Sequence, residues 1–184
     1  MTSQAARYYL DLLSDRSWCS EGLSWTVVKN LTVDQVLGRV GGERVEHARV
    51  LDGTAPGFDV LLVAHLAQIG ADAVMYQQYG SEGSRPEVLR KLSVGTKVVN
   101  AGWSITGNGM VSLAVDGVVA QVDKNNPGER SVLAADHDDL LDAKGIGRTA
   151  VMLAVVEHAT GVRLTDDLVD GLSGEPWQTV MLTG

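Results

Sequence analysis

Three features of the sequence predict an α+β fold, with an antiparallel sheet of about five strands, helices packed on one face, and a helix at the N-terminus. The pair Asp116-Gly117 stands between two apolar runs, the signature of a two-residue type I′ hairpin turn. Residues 59–79, DVLLVAHLAQIGADAVMYQQY, form two apolar runs broken at Gly70, a second hairpin. Segments of helical period lie at both ends of the chain, outside this strand-rich middle.

In chain order, Ala5, Tyr8, Tyr9, Leu12 and Leu13 recur at i, i+3, i+4, i+7 and i+8, the stripe of an amphipathic helix, and residues 1–18 are assigned to it. Residues 19–184 are assigned to a single α+β domain. Residues 25–30, WTVVKN, are a short β-branched run. Thr32 and Gln35 then match a capping box, Leu31 and Val36 a hydrophobic staple, and Gly41 a helix end. Residues 43–57 carry no period and contain Gly53, Pro56 and Gly57, so a loop with one edge strand is expected. Residues 96–105 and 110–122 supply three more strands around Asp116-Gly117. After the polar stretch DKNNPGER, residues 136–171 turn helical, and PWQTVMLTG is a final strand or a tail anchored by Trp177.

With 45% hydrophobic and 21% charged residues, the chain has the composition of a folded globular protein. A net charge of −8 without any Lys or Arg cluster repels a phosphate backbone, so nucleic acid is not an expected partner. The sequence shows neither an apolar run of membrane-spanning length nor a signal-peptide pattern, and the single Cys19 has no internal disulfide partner. Together these predict a cytoplasmic protein.

The sites that invite a function each have a plainer reading. GSEGSRP, residues 80–86, looks like a phosphate loop but lacks the Lys and Ser/Thr of a P-loop and the three spaced glycines of a dinucleotide fingerprint. Ser84 and Glu87 instead match a capping box, with Pro86 in the first turn. Asp138, Asp139 and Asp142 repeat the spacing of Asp166, Asp167 and Asp170, a pattern that holds Mg²⁺ on a helix where a diphosphate is bound. No cluster of Arg and Lys accompanies them, acids favour the first helical turn, and Thr165 is a ready N-cap. Neither a metal nor any cofactor is expected. His47, His65, His137 and His158 share no ligand spacing, and His65 and His158 lie on apolar stretches that suit core or edge positions. Cys19 has no His beside it, and Ser24, Ser104 and Ser112 lack a nucleophile-elbow setting. Trp18, Trp25, Trp103 and Trp177 are four of the nine aromatics; any that are exposed are the natural anchors for a protein partner.

Four blocks in order, LSWTVVKNLTVDQVLGRVGG, GSRPEVLRKLSVGTKVV, VSLAVDGVVAQVD and ATGVRLTDDLVDG, resemble a family of small uncharacterised actinobacterial domains. The resemblance spans roughly residues 19–172. Members tend to carry a Trp and an acid in the second strand of the hairpin, where this chain has Gln77 and Gln78. The family has no established reaction, so the resemblance implies no catalytic residue. The expectation is a non-enzymatic binding or accessory protein, an adaptor or immunity-like factor with a protein partner. The alternative is a small enzyme or ligand-binding accessory protein of specialised metabolism, using a pocket over the sheet or the acidic C-terminal helices.

Overall fold

The computed structural model describes residues 2–14, 16, 22–55, 57–104, 109–122, 147–172 and 174–183. Its framework is an eight-stranded sheet in which every neighbouring pair is antiparallel. The strands are β1 (Gly22–Val28), β2 (Gly42–Arg44), β3 (Val63–Ile69), β4 (Asp72–Gln77), β5 (Lys97–Ser104), β6 (Gly109–Val115), β7 (Val118–Val122) and β8 (Gln178–Leu182), in the order β2-β8-β3-β4-β1-β5-β6-β7. The α+β class with an antiparallel sheet is as expected, but eight strands replace about five. β1, β2 and β8 make up the difference: they fall on the stretches read as a β-branched run, an edge strand, and a final strand or tail, but their partners lie far away in sequence, so no turn announces their pairing.

Local chemistry accounts for the hairpins. Asp116 and Gly117 both take positive φ, 48° and 78°, which two-residue type I′ turns require. Gly70, at φ 60°, begins the turn between β3 and β4.

Helices cover both faces of the sheet, not one. In β1, Leu23, Trp25 and Val27 join one core, while Val28 joins the other and Ser24 and Thr26 alternate with the first set. All seven residues of β1 are buried, so each face needs a covering layer. On the first face lie α5 (Arg148–Thr160) and α6 (Asp166–Asp170), with α1 (Thr2–Ser14) packed against α5. Residues 150–156 of α5 are all buried, as a helix held between a sheet and another helix must be. Trp25 is wholly buried here, and burying a side chain of that size contributes about 2–3 kcal/mol. On the second face lie α2 (Val33–Val40) and α4 (Pro86–Leu92), which insert Val33, Val36, Val40, Val88, Leu89 and Leu92. The capping box of α2 forms as expected, with Thr32 Oγ1 accepting from Gln35 N–H and Gln35 Oε1 accepting from Thr32 N–H.

Two further expectations are corrected. The stretch expected to be a loop after β2 contains a helix, α3 (His47–Leu51). Ser84 does not cap α4: it ends a 3₁₀ turn, Glu82–Ser84, and the N-cap is Arg85, whose guanidinium pairs with Glu82 and Glu87. Among the described residues no helix is long and apolar enough to cross a membrane.

Candidate functional site

A cleft of about 550 Å³ opens on the first face over β3 and the end of β4, with Val63, His65, Gln78 and Tyr79 in its lining. One wall is the strap from α3 through the 3₁₀ turn Val60–Leu62, and the other is α6 with Leu172. The strap is built from short-range hydrogen bonds. Asp52 Oδ1 accepts from the N–H and hydroxyl of Thr54, at 3.0 and 2.6 Å, and Asp59 Oδ1 accepts from Leu61 N–H at 2.9 Å. Its root is fixed where Val45 N–H donates to Thr179 O, extending the β2–β8 pairing and delivering His47 beside β8.

The rim is apolar and open. Leu51 is 75% exposed, and Phe58, Val60 and Tyr79 are between 41% and 44% exposed. Solvated hydrophobic side chains gathered round one concavity are the usual mark of a binding site.

The polar part of the cleft is a histidine pair bridged by a hydroxyl. Thr179 faces His65 in the β3–β8 register. Its Oγ1 lies 3.3 Å from His65 Nδ1 and 3.1 Å from His47 Nδ1, with the two rings 5.5 Å apart. Behind them, Trp177 packs edge-on to both His65 and Trp25 and donates its indole N–H to Leu168 O at 2.8 Å. Burial, and then the neighbouring His47, push His65 down to about 4, so its ring is neutral at neutral pH.

The glycine loop lies on the opposite face, and it is closed. Gln77 is fully buried; its Oε1 accepts from Gly83 N–H at 2.8 Å, and its Nε2 donates to Leu61 O and Val63 O at 3.4 Å. A Cβ on Gly83 would come within 2.8 Å of Thr26 Oγ1, and one on Gly80 within 2.2 Å of Leu61 O. These glycines serve close packing, not a phosphate. Below the loop Asn100 Nδ2 donates to Ser24 and Thr26 hydroxyls, both at 2.9 Å, and Ser24 meets Ser84 at 3.2 Å. Asn100 Oδ1 and Ser112 Oγ are buried without a hydrogen-bond partner among the described residues.

The second acidic cluster is an anchor for the N-terminal helix. Arg16 Nε and Nη2 clasp Asp170 at 3.1 and 2.6 Å, and Nη2 also reaches Asp166 at 2.9 Å. That guanidinium holds the Asp170 carboxyl below the usual range. Thr165 caps α6 by accepting from Leu168 N–H, as expected from the sequence. Asp167 is exposed and takes no part in the clasp. Asp138, Asp139 and Asp142, together with Trp18, Cys19 and His137, lie outside the described residues. Among the described residues, no group of three or more His, Cys, Asp and Glu is placed to hold a metal ion.

Three of the four tryptophans, conditional anchors in the sequence reading, fall within the described residues. Trp25, Trp103 and Trp177 are all buried, so none of them offers an exposed face to a partner. Of the two histidines on apolar stretches, His65 is buried in β3, as expected, whereas His158 is exposed on α5. His47 and His65 do come together, but through Thr179, at sequence separations of 132 and 114. No local spacing in the sequence announces that constellation. No family model, curated protein or solved structure matches this chain.

Proposed function

We propose that this protein is a non-enzymatic, cytosolic binding protein of the accessory kind, and that the cleft between α3 and α6 holds a small molecule with an apolar body. The observation that carries this reading is the open apolar rim around a cavity of about 550 Å³, within the 300–1,000 Å³ or so typical of small-ligand sites. A concave site suits a small ligand better than a protein face, and the exposed tryptophans that would have anchored a protein partner are not available in Trp25, Trp103 or Trp177. Binding is favoured over catalysis by His65. A base held near 4 is far weaker than one poised at neutral pH, so the ring serves as a hydrogen-bonding group.

The test is a titration with small aromatic fragments such as indole and toluene, followed by backbone amide shifts in NMR, on the wild type and on Leu51→Glu. Leu51 is solvated, so the substitution charges the rim without disturbing a core. Saturable shifts centred on the cleft, weakened at least about tenfold by Leu51→Glu, are expected. Fragments that do not saturate, or that bind both proteins equally, would remove the cleft as the site.

A further inference from the structure

The shared hydroxyl constrains the two imidazoles more tightly than their proximity does. A threonine hydroxyl has one proton to donate and two lone pairs to accept with. Thr179 is buried, and among the described residues its Oγ1 has two hydrogen-bond partners, His47 Nδ1 and His65 Nδ1. Its proton therefore goes to one of those nitrogens, which must be unprotonated. The other nitrogen cannot present a second lone pair to the same oxygen without repulsion, so it carries a proton and donates. A neutral imidazole has one N–H, and fixing it at Nδ1 leaves Nε2 as an acceptor, while its absence from Nδ1 places it on Nε2.

We propose that Thr179 locks His47 and His65 into opposite tautomers, so that the cleft offers one Nε2–H donor and one Nε2 acceptor, and that its ligand is an uncharged apolar molecule carrying a carboxamide. Neither Nε2 has a hydrogen-bond partner among the described residues, and both rings line the cleft. The ring centroids lie 5.5 Å apart, a spacing compatible with one carboxamide whose N–H and C=O each make a hydrogen bond of about 3 Å to a different ring. The charges point the same way. Among the described residues the cleft lining contains no Lys or Arg, and its one acid, Asp170, is already clasped by Arg16. A carboxylate would meet one acceptor and no cation, and an ammonium one donor and no free acid, so each leaves a hydrogen bond unmade and a charge uncompensated. The inference rests on the cleft being the binding site.

Two measurements on the full chain test it. The first compares 3-phenylpropanamide, 3-phenylpropanoate and 3-phenylpropylammonium by calorimetry at pH 7, on the wild type and on Thr179→Val, which keeps the side-chain shape and removes the hydroxyl. The amide should bind at least about tenfold more tightly than either ion, and in Thr179→Val that ratio should fall towards one. The second records long-range ¹H–¹⁵N spectra of the histidine rings, assigned with His47→Asn. One of the pair should appear as the Nδ1–H tautomer and the other as Nε2–H, with Thr179→Val releasing both to the mixture of an unconstrained imidazole. If the trio binds without an amide preference, or both rings adopt the same tautomer, the tautomer lock is overturned and the cleft reading stands. If none of the three binds, the cleft reading falls and takes this inference with it.

Discussion

Two polar patches lie on opposite faces of the same sheet, and the chain treats them in opposite ways. On the second face Ser24, Thr26, Gln77 and Asn100 are roofed by the loop that runs into the 3₁₀ turn Glu82–Ser84, whose Gly80 and Gly83 leave no room for a Cβ. On the first face His47, His65 and Thr179 have walls but no roof, and the walls end in exposed apolar side chains. Both patches bury polar groups, and both belong to segments that drew attention in the sequence. A polar cluster becomes a candidate site when the fold leaves it open, not when its residues look chemical. In the closed patch the side chains mainly bond to one another and to the loop; in the open one, hydrogen-bonding edges of two rings remain for something else.

The sharpest way to break that contrast is to unseat the roof. In Gly80→Ala the new methyl would meet Leu61 O at 2.2 Å and Gln77 Nε2 at 2.5 Å, a backbone atom and the side chain that secures the loop. Neither gives way cheaply, so a loss of about 3 kcal/mol is expected in urea unfolding, the upper part of the overpacking range. A loss below about 1 kcal/mol would mean that the second face is as loosely closed as the first.

The open patch should show itself in the pH dependence of stability. His65 is pushed down to about 4 in the folded protein, below its value of 6.5 in an unfolded chain. Above pH 6.5 the ring is neutral in both states and pH has no leverage. As pH falls from 6.5 towards 4, the unfolded chain takes up a proton that the folded protein refuses, so stability declines, by about 3 kcal/mol in all at 1.36 kcal/mol per unit. Carboxylates add their own losses at the acid end, and subtracting the profile of His65→Leu isolates the histidine. A wild-type profile no steeper than that of His65→Leu between pH 6.5 and 4 would show that the patch is wetter than its burial implies.

What was legible in the sequence follows the range of the interaction. Asp116-Gly117, the break at Gly70, the Thr32–Gln35 box and the Thr165 cap are each specified within a few residues, and each is present. Strand order is not local. β8 enters between β2 and β3, and β1 between β4 and β5, so neither position follows from a turn, and the sheet was undercounted. The Ser84 cap failed for a related reason: Ser24, 60 residues away, takes its hydroxyl, and a tertiary partner overrode a local motif. The cleft was least visible, because His47, His65 and Thr179 meet only once α3, β3 and β8 are assembled.

A smaller effect separates rim from floor. Leu51→Glu should leave stability within about 0.5 kcal/mol, since the residue is 75% exposed, yet weaken an apolar ligand about tenfold, or about 1.4 kcal/mol. His65→Leu should do the reverse for apolar fragments, keeping their affinity while abolishing the amide preference measured by calorimetry. Equal losses in both variants would mean that rim and floor are not distinct parts of the site.

The smallest effect concerns the acidic cluster that flanks the cleft, where a metal would otherwise be the tempting reading. Arg16 is shared between Asp166 and Asp170, so one guanidinium two residues beyond α1 ties that helix to α6, the wall of the cleft. The carboxylates are exposed, and water and salt screen them, so the pairing is worth less than its geometry implies. Arg16→Ala should cost about 1 kcal/mol, including the hydrogen bond from Nη1 to Leu12 O, and the cost should shrink in 1 M NaCl. Asp167→Asn, in the same run of acids but outside the clasp, should change thermal stability by less than about 0.5 kcal/mol. The two variants part company only if the cluster works through Arg16. If instead Mg²⁺ raises the melting temperature of the wild type and Asp167→Asn abolishes that rise, the acids gather a cation, and the wall of the cleft is itself a ligand site.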